Sequence, residues 1–403
     1  MKILIIARGY PTPNHPLFGC FEATQAHALQ KLGHEVIYIG LNFYSAKNWD
    51  IIGTNHRIVD GINIYEHYFL AVPYRRLMPE VIIHHVLKKE IIKLYKKVEK
   101  LHGKPDIIHS QSEFFSFSMA KKIAAAVGCP IVHTYHTIYE DYTHYFSPSI
   151  TLGRKAVIAM TRHILQHTAG VIAPSHKVET LLRSYGVQKP IAVIPTGLNL
   201  RPFAQQASSE QLTALKHALG IQPNQKVLLT VGRVAKEKNL EELICYFGRL
   251  SLPDAVLCIV GGGTYLPTLK QLALEKGIAD RVIFTDAVEP SKIPIYYQIG
   301  DVFLSASQSE TQGLTYLEAL ASGLPLVCRK DPCLDGIVTD GFNGGLYTSF
   351  KTFQHWIMQT YHQKQQFTAC ARQTADQFSA AAFAEKVETY YKQVLENQQI
   401  QSA

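Results

Sequence analysis

No stretch of this chain comes near the roughly 18 consecutive apolar residues that a membrane span needs, and the early run ILIIA is cut short by Arg8 and Gly9. Neither a transmembrane anchor nor a signal peptide is therefore expected, and a cytoplasmic location is. Cysteine is sparse. The seven, at 20, 129, 245, 258, 328, 333 and 370, are odd in number and form no C-x-x-C pair, so neither a disulfide framework nor a metal site is expected. The dinucleotide fingerprint G-x-G-x-x-G is missing too: the glycine run at 261–263 is followed by Leu266 where the last glycine belongs, which disfavours a nicotinamide cofactor. Basic residues come without an interleaved aromatic platform or zinc-finger spacing, so nucleic acid is not an expected partner. There is no short-period repeat.

What remains is a chain of 403 residues with 47% apolar residues, too long for one ordinary core. Short apolar runs alternate with helical patterns: MKILIIA, HEVIYIG, PDIIHS, PIVHTY, GVIAPS and IAVIPTG come first. KVLLTVG, AVLCIVG, RVIFTD, VFLSAS and PLVCR follow. This rhythm predicts an α/β protein with two Rossmann-like domains, 1–195 and 196–380, each on a mostly parallel sheet. The last helical pattern, 381–403, follows the completed second sheet and is expected to cross back to the first domain.

Charge is unevenly placed. Residues 1–195 hold 22 Lys and Arg against 13 Asp and Glu, the remainder 18 against 19. Within the first half, apolar positions from Val81 to Val98 recur near helical spacing among lysines 88, 89, 93, 96, 97 and 100, which predicts a basic amphipathic helix. Such a helix is either a solvated face packed by its apolar side or a surface for anionic lipid.

The chemistry gathers in the second half. In SETQGLTYLEALASG, Glu310 and Glu318 flank a turn ending at Gly313, so one carboxylate sits on a loop, a helix N-terminus follows with the amides of Gln312, Gly313, Leu314 and Thr315 placed for an anion, and the second carboxylate lies inside the helix. TVGRVAKEKNLEEL reads as strand, loop and helix, with Asn239 as N-cap and Glu242 in the capping-box position. Arg233 and Lys238 on that loop lie beyond the carboxyl end of a strand, where open α/β sheets bind ligands, and two cations there suit a diphosphate. Gly262 and Gly263 let backbone approach a ligand.

Arg233, Lys238, the triple glycine and the E-x7-E of Glu310 and Glu318 resemble the donor-site motifs of retaining glycosyltransferases with the GT-B architecture. The resemblance implies two domains facing a cleft. The basic pair then holds a nucleotide diphosphate, Glu318 the ribose, and Glu310 lies beside the donor sugar. Over about 107–350, HSQSEF, HTYHTIYEDYTHYF, VIPTGLNL and SETQGLTYLEALASG are similar to bacterial glucosyldiacylglycerol synthases. That implies UDP-glucose as donor, diacylglycerol as acceptor, no required cofactor, and peripheral attachment to an anionic membrane surface at the inner face of the cell membrane. It also implies His136 as the active-site histidine, Gly19 as the small residue near the reacting groups, and Tyr139, Glu140, Asp141, Tyr142 and His144 as the acceptor segment. His133 reads as structural. The first hundred residues look more like glycosyltransferases of capsular or surface polysaccharides, so the chain reads as a mosaic with a seam near KPDIIHSQS. Asp286 stands where the family has glycine. The alternative reading is a glycosyltransferase acting on a polyprenyl-linked sugar or surface polysaccharide; behind it come a sugar-nucleotide epimerase and a non-catalytic binding protein.

Overall fold

Parallel strands need apolar side chains on both faces, and the chain's short runs of Ile, Val and Leu supply them. In the computed structural model, which describes residues 1–12, 15, 18–45, 53–71, 88–145 and 149–402, these runs build two sheets. The first contains β1 (Lys2–Ala7), β2 (Glu35–Ser45), β3 (Gly53–Val59), β4 (Ile62–Ala71), β5 (Ile107–Ser110), β6 (Ile131–Thr134), β7 (Gly170–Ala173) and β8 (Ile191–Val193). Their order is β3-β4-β2-β1-β5-β6-β7-β8. The second contains β9 (Lys226–Val231), β10 (Ala255–Val260), β11 (Val282–Phe284), β12 (Val302–Ser305), β13 (Leu326–Arg329) and β14 (Gly344–Tyr347), in the order β11-β10-β9-β12-β13-β14. The one antiparallel pairing among these strands is β3 with β4.

The chain divides into two units, Met1–Gly197 with the segment from Ala380 onward, and Leu198–Ser379. The C-terminal helix Ala380–Ser402 lays Phe383, Val387, Tyr391 and Val394 into the same apolar cluster as Ile3, Ile5, Leu29 and Ile172 of the first unit. Tyr390 adds a polar anchor: its hydroxyl donates to the Pro190 carbonyl at 2.9 Å and accepts from the Val171 amide at 3.1 Å. Gly170 makes room, since a Cβ there would lie 2.5 Å from that hydroxyl. Among the described residues no helix is long and apolar enough to cross a membrane.

Three features depart from the sequence reading. The basic helix runs over Lys88–His102, and positions 81–87 of the expected pattern lie outside the described residues. The β3–β4 hairpin is additional to the expected strands; its turn is Asp60-Gly61, both at positive φ (47° and 85°), the two-residue geometry that Asp-Gly favours. Asn239 precedes the helix Leu240–Arg249 but sits in the left-handed region (φ 51°) and makes no side-chain cap, so no capping box forms. Its amide instead donates to Glu242 at 3.2 Å, and the Glu242 carboxylate accepts from Arg329 at 2.6 Å.

Candidate active site

In the second unit β9 and β12 are neighbours, so the loops leaving their carboxyl ends lie side by side. The loop after β9 carries Arg233 and leads through a short turn, Lys236–Lys238, into the helix Leu240–Arg249. That after β12 carries Glu310 and leads through Gly313 into the helix Leu314–Ala321. The loops are tied together. Lys238 Nζ donates to Glu310 Oε1, and the Ser309 hydroxyl donates to the Glu237 carbonyl at 3.3 Å. Arg233 lies over the same turn with its guanidinium 2.5 Å from Glu237 and its side chain 55% exposed. Each expected phosphate-binding cation thus has a carboxylate partner, so an anion bound there would have to exchange with carboxylates instead of meeting bare charge.

Gly313 is the N-cap of its helix and left-handed (φ 74°), with the Tyr316 ring packed so closely that a Cβ would lie 2.2 Å from it. Gln312 is buried, while Leu314 and Thr315 stay partly open at the first turn, where helix amides lack partners of their own. Glu318, one turn further in, accepts a 2.7 Å hydrogen bond from the buried Tyr297 hydroxyl. Burial pushes its carboxyl up to about 7, and the Tyr297 bond only partly opposes this.

Gly262 and Gly263 serve packing first. A Cβ at 263 would lie 2.0 Å from the Val234 carbonyl oxygen, and one at 262 would lie 3.1 Å from the Ala287 amide. The glycine run is therefore pressed against the loop that carries Arg233, setting that loop's position. Asp286, where the resemblance implies glycine, takes a left-handed backbone at φ 59°.

The first unit holds the other candidates. Gly19 caps the helix Cys20–Lys31 at φ 72°, and a Cβ there would lie 2.2 Å from the Gly9 carbonyl oxygen, so its smallness brings two loops together. His136 follows β6 and faces Gln111 Oε1 through Nε2 at 2.8 Å. Burial pushes its imidazole down to about 4, so the ring is neutral at ordinary pH. His133, on β6 itself, is fully buried 3.6 Å from the Glu113 carboxylate. The segment Tyr139–Tyr145 forms a 3₁₀ helix carrying Tyr139, Glu140, Asp141, Tyr142 and His144. Tyr139 turns inward and donates to Glu113 at 2.6 Å, and Glu140 accepts from Arg154 at 2.9 Å, whereas Asp141 is exposed. Two residues that the sequence reading left unassigned hold candidates in place: Tyr297 for Glu318, and Gln111 for His136. Among the described residues no cluster of His, Cys, Asp and Glu could hold a metal ion.

Family models match both halves: "Glycosyl transferases group 1" over 213–393 and "Glycosyltransferase Family 4" over 23–201. Among curated proteins, the α-monoglucosyldiacylglycerol synthase of Streptococcus pneumoniae is 42% identical over 245 residues, 60% of this chain and 56% of that protein. The enzyme of the same name from Acholeplasma laidlawii is 36% identical over 62% of this chain and 64% of its own length. The chain thus spans less than two thirds of each. A putative teichuronic acid biosynthesis glycosyltransferase of Bacillus subtilis is 28% identical over 89% of this chain and 85% of its own. Among solved structures, HepE of Anabaena in complex with UDP and glucose aligns over 98% of this chain and all of its own at 18% identity, with a TM-score of 0.71. Sucrose-phosphate synthase of Thermosynechococcus elongatus aligns over 98% and 99% at 20% identity, with a TM-score of 0.74. Likeness at that identity shows the fold, which is GT-B.

Proposed function

Glycosyltransferase family models match both halves of this chain, and from that premise we propose that it moves glucose from UDP-glucose to diacylglycerol, with retention, at the cytosolic face of a membrane. One observation carries the reading: the Lys238–Glu310 pair ties together the loops at the carboxyl ends of the adjacent strands β9 and β12, and the second loop opens at Gly313 into the helix that carries Glu318. Arg233, Lys238 and the first-turn amides stabilise negative charge on the leaving diphosphate, which grows as the bond from sugar to phosphate breaks. Glu318 takes the ribose hydroxyls. Glu310 and His136 serve the sugar, and Tyr139, Glu140, Asp141, Tyr142 and His144 lie on the acceptor segment. The acceptor's proton passes to a leaving phosphate oxygen as it attacks from the same face. The named relatives from Streptococcus pneumoniae and Acholeplasma laidlawii support diacylglycerol. A second reading, a surface-polysaccharide acceptor, is favoured by the Bacillus subtilis relative, whose likeness runs over far more of this chain. UDP-sugars crossed with diacylglycerol and polyprenyl-linked acceptors, with mass spectrometry of the products, separate the two. No product with any lipid acceptor sinks the first.

Glu318 yields a pH prediction. Its folded-state pKa is raised, so the stability it contributes as a neutral acid is present below about 4.5 and is lost as pH rises through about 7. Glu318→Gln, neutral throughout, is therefore expected to stabilise the ligand-free protein by about 2 to 3 kcal/mol at pH 8, and not at pH 4.5. Ribose hydroxyls donating to the carboxylate favour its ionised form, so donor affinity should weaken below pH 7, by at most about tenfold per unit, in the wild type alone. Thermal melts and donor titrations from pH 5 to 8 check both; a flat wild-type profile removes Glu318 from the ribose.

Membrane attachment falls to the helix Lys88–His102. Leu94, Tyr95 and Val98 are buried, while Lys93, Lys96, Lys97 and Lys100 are exposed with Ile92 and Leu101. Each lysine near an anionic surface contributes about 1 kcal/mol, screened beyond about 8 Å at physiological salt. Binding to phosphatidylglycerol vesicles is expected to fall as salt rises. Changing lysines 88, 89, 93, 96, 97 and 100 to serine should lower vesicle binding and activity on vesicle-borne acceptor, yet spare a detergent-dispersed short-chain acceptor. Equal vesicle binding by both proteins at low salt would make the helix a solvated face only.

A further inference from the structure

The first unit buries a continuous chain of amide and imidazole groups that ends on His136. His136 Nε2 lies 2.8 Å from Gln111 Oε1, and Gln111 Nε2 donates to Gln25 Oε1 at 2.6 Å. Gln25 Nε2 lies 2.9 Å from His109 Nδ1, the Tyr391 hydroxyl lies 2.5 Å from the same nitrogen, and His109 Nε2 lies 2.7 Å from the Thr134 hydroxyl. Gln25 comes from the helix Cys20–Lys31, His109 from β5, Thr134 from β6 and Tyr391 from the C-terminal helix. Apart from His136 every member is at most 4% exposed. Four separate segments converge to satisfy uncharged polar groups, an arrangement that is costly unless each donor meets an acceptor.

Primary amides have a donor end and an acceptor end, so a chain of them carries a direction. The Gln25 amide nitrogen faces His109 Nδ1 and can only donate, so Nδ1 holds the lone pair, the Tyr391 hydroxyl at the same nitrogen is left to donate, and the ring proton sits on Nε2 facing Thr134. Gln25 therefore turns its carbonyl to Gln111, and Gln111 turns its carbonyl to His136. A carbonyl only accepts, so His136 Nε2 carries the hydrogen.

We propose that Gln25, His109, Gln111 and Tyr391 are positioning residues that fix His136 as its Nε2–H tautomer, so that Nδ1 accepts a hydrogen bond from a hydroxyl of the donor sugar. The sugar contact rests on the role given to His136 above; the tautomer does not. His136 thereby acts as an acceptor and does not supply a proton to the reaction. The C-terminal helix, 282 residues away from His109 in sequence, becomes part of the site's supporting shell.

The test is two-bond ¹H–¹⁵N NMR of the full chain labelled on histidine, with the His136 signals identified by their loss in His136→Ala. The wild type is expected to show a protonated Nε2 and a bare Nδ1. Tyr391→Phe keeps the ring and removes one donor to His109; it should give mixed tautomers at His136 and lower kcat by about tenfold with donor KM within about twofold. Gln111→Glu puts a carboxylate against Nε2 and should leave the ring doubly protonated near neutral pH, which keeps the test open if Tyr391→Phe fails to fold. An Nδ1–H ring in the wild type, or an unchanged ring in both variants, overturns the relay. A changed tautomer with unchanged kcat overturns the sugar contact and the role of His136 with it.

Discussion

Lys238→Met is expected to lower kcat/KM by about thirtyfold to a thousandfold, a loss of roughly 2 to 4 kcal/mol of transition-state stabilisation. The side chains of Lys238 and Glu310 are 24% and 19% exposed, so the ammonium works in a partly dry setting where a charge contact to phosphate counts for more than in water. Removing it does a second harm, because Glu310 then faces the incoming diphosphate as an uncompensated anion. The two effects separate in a double variant. Adding Glu310→Gln to Lys238→Met should recover part of the donor affinity while turnover stays low, since Glu310 is read as serving the sugar. Arg233→Ala, whose side chain is more open and already paired with Glu237, should cost nearer tenfold. Steady-state kinetics with donor titration of the four proteins check this. Wild-type turnover and donor affinity in Lys238→Met would show that the diphosphate lies elsewhere.

What could be read in the chain, and what could not, follows from how local the cause is. The buried strands announced themselves because a parallel strand has no polar face to hide its signal. Glu310 and Glu318 pointed to a loop followed by a helix because the turn between them contains Gly313, and the helix does begin at Leu314. The β3–β4 hairpin has a local signal, Asp60-Gly61, but its edge strand Gly53–Val59 is mostly polar and lacks the apolar run that marks the others. β14 had almost none: its opening Gly344-Gly345 lacks the side chains that mark strands. Gly344 and Gly345 are glycine because Cβ atoms there would lie 2.0 Å from the Leu326 carbonyl oxygen and the Trp356 ring. Asn239 has the residue type of a side-chain cap, yet Asn also tolerates the left-handed region, and the backbone demand wins. The partners of site residues were the least visible. Tyr297 reaches Glu318 from 21 positions away and Tyr391 reaches His109 from 282, and no spacing rule joins residues that only the packed sheet brings together.

Gly313→Ala is expected to lower kcat/KM by about a hundredfold, although it removes no group that touches a substrate. Two costs meet at this position. An alanine in the left-handed region is strained by roughly 1 to 2 kcal/mol, and its Cβ would lie 2.2 and 2.5 Å from two carbons of the Tyr316 ring. The ring cannot step aside cheaply. Tyr316 is 1% exposed, its hydroxyl lies 3.0 Å from the Ser305 hydroxyl, and its ring packs edge-on to Phe303. The backbone must therefore move, taking with it the first-turn amides of Leu314 and Thr315 that are read as facing the diphosphate. A displacement on the order of 1 Å is enough for a loss of about that size. Gly277→Ala supplies the comparison: Gly277 is also left-handed (φ 67°), but a Cβ there meets nothing within 4 Å, so it carries the conformational strain without the clash. Gly277→Ala should lose some stability and keep its kcat/KM, whereas Gly313→Ala should lose both. Thermal melts with kinetics on the folded fraction distinguish the two. If both variants turn over at the wild-type rate, the helix start at Gly313 is packing alone and the donor's phosphates are bound without it.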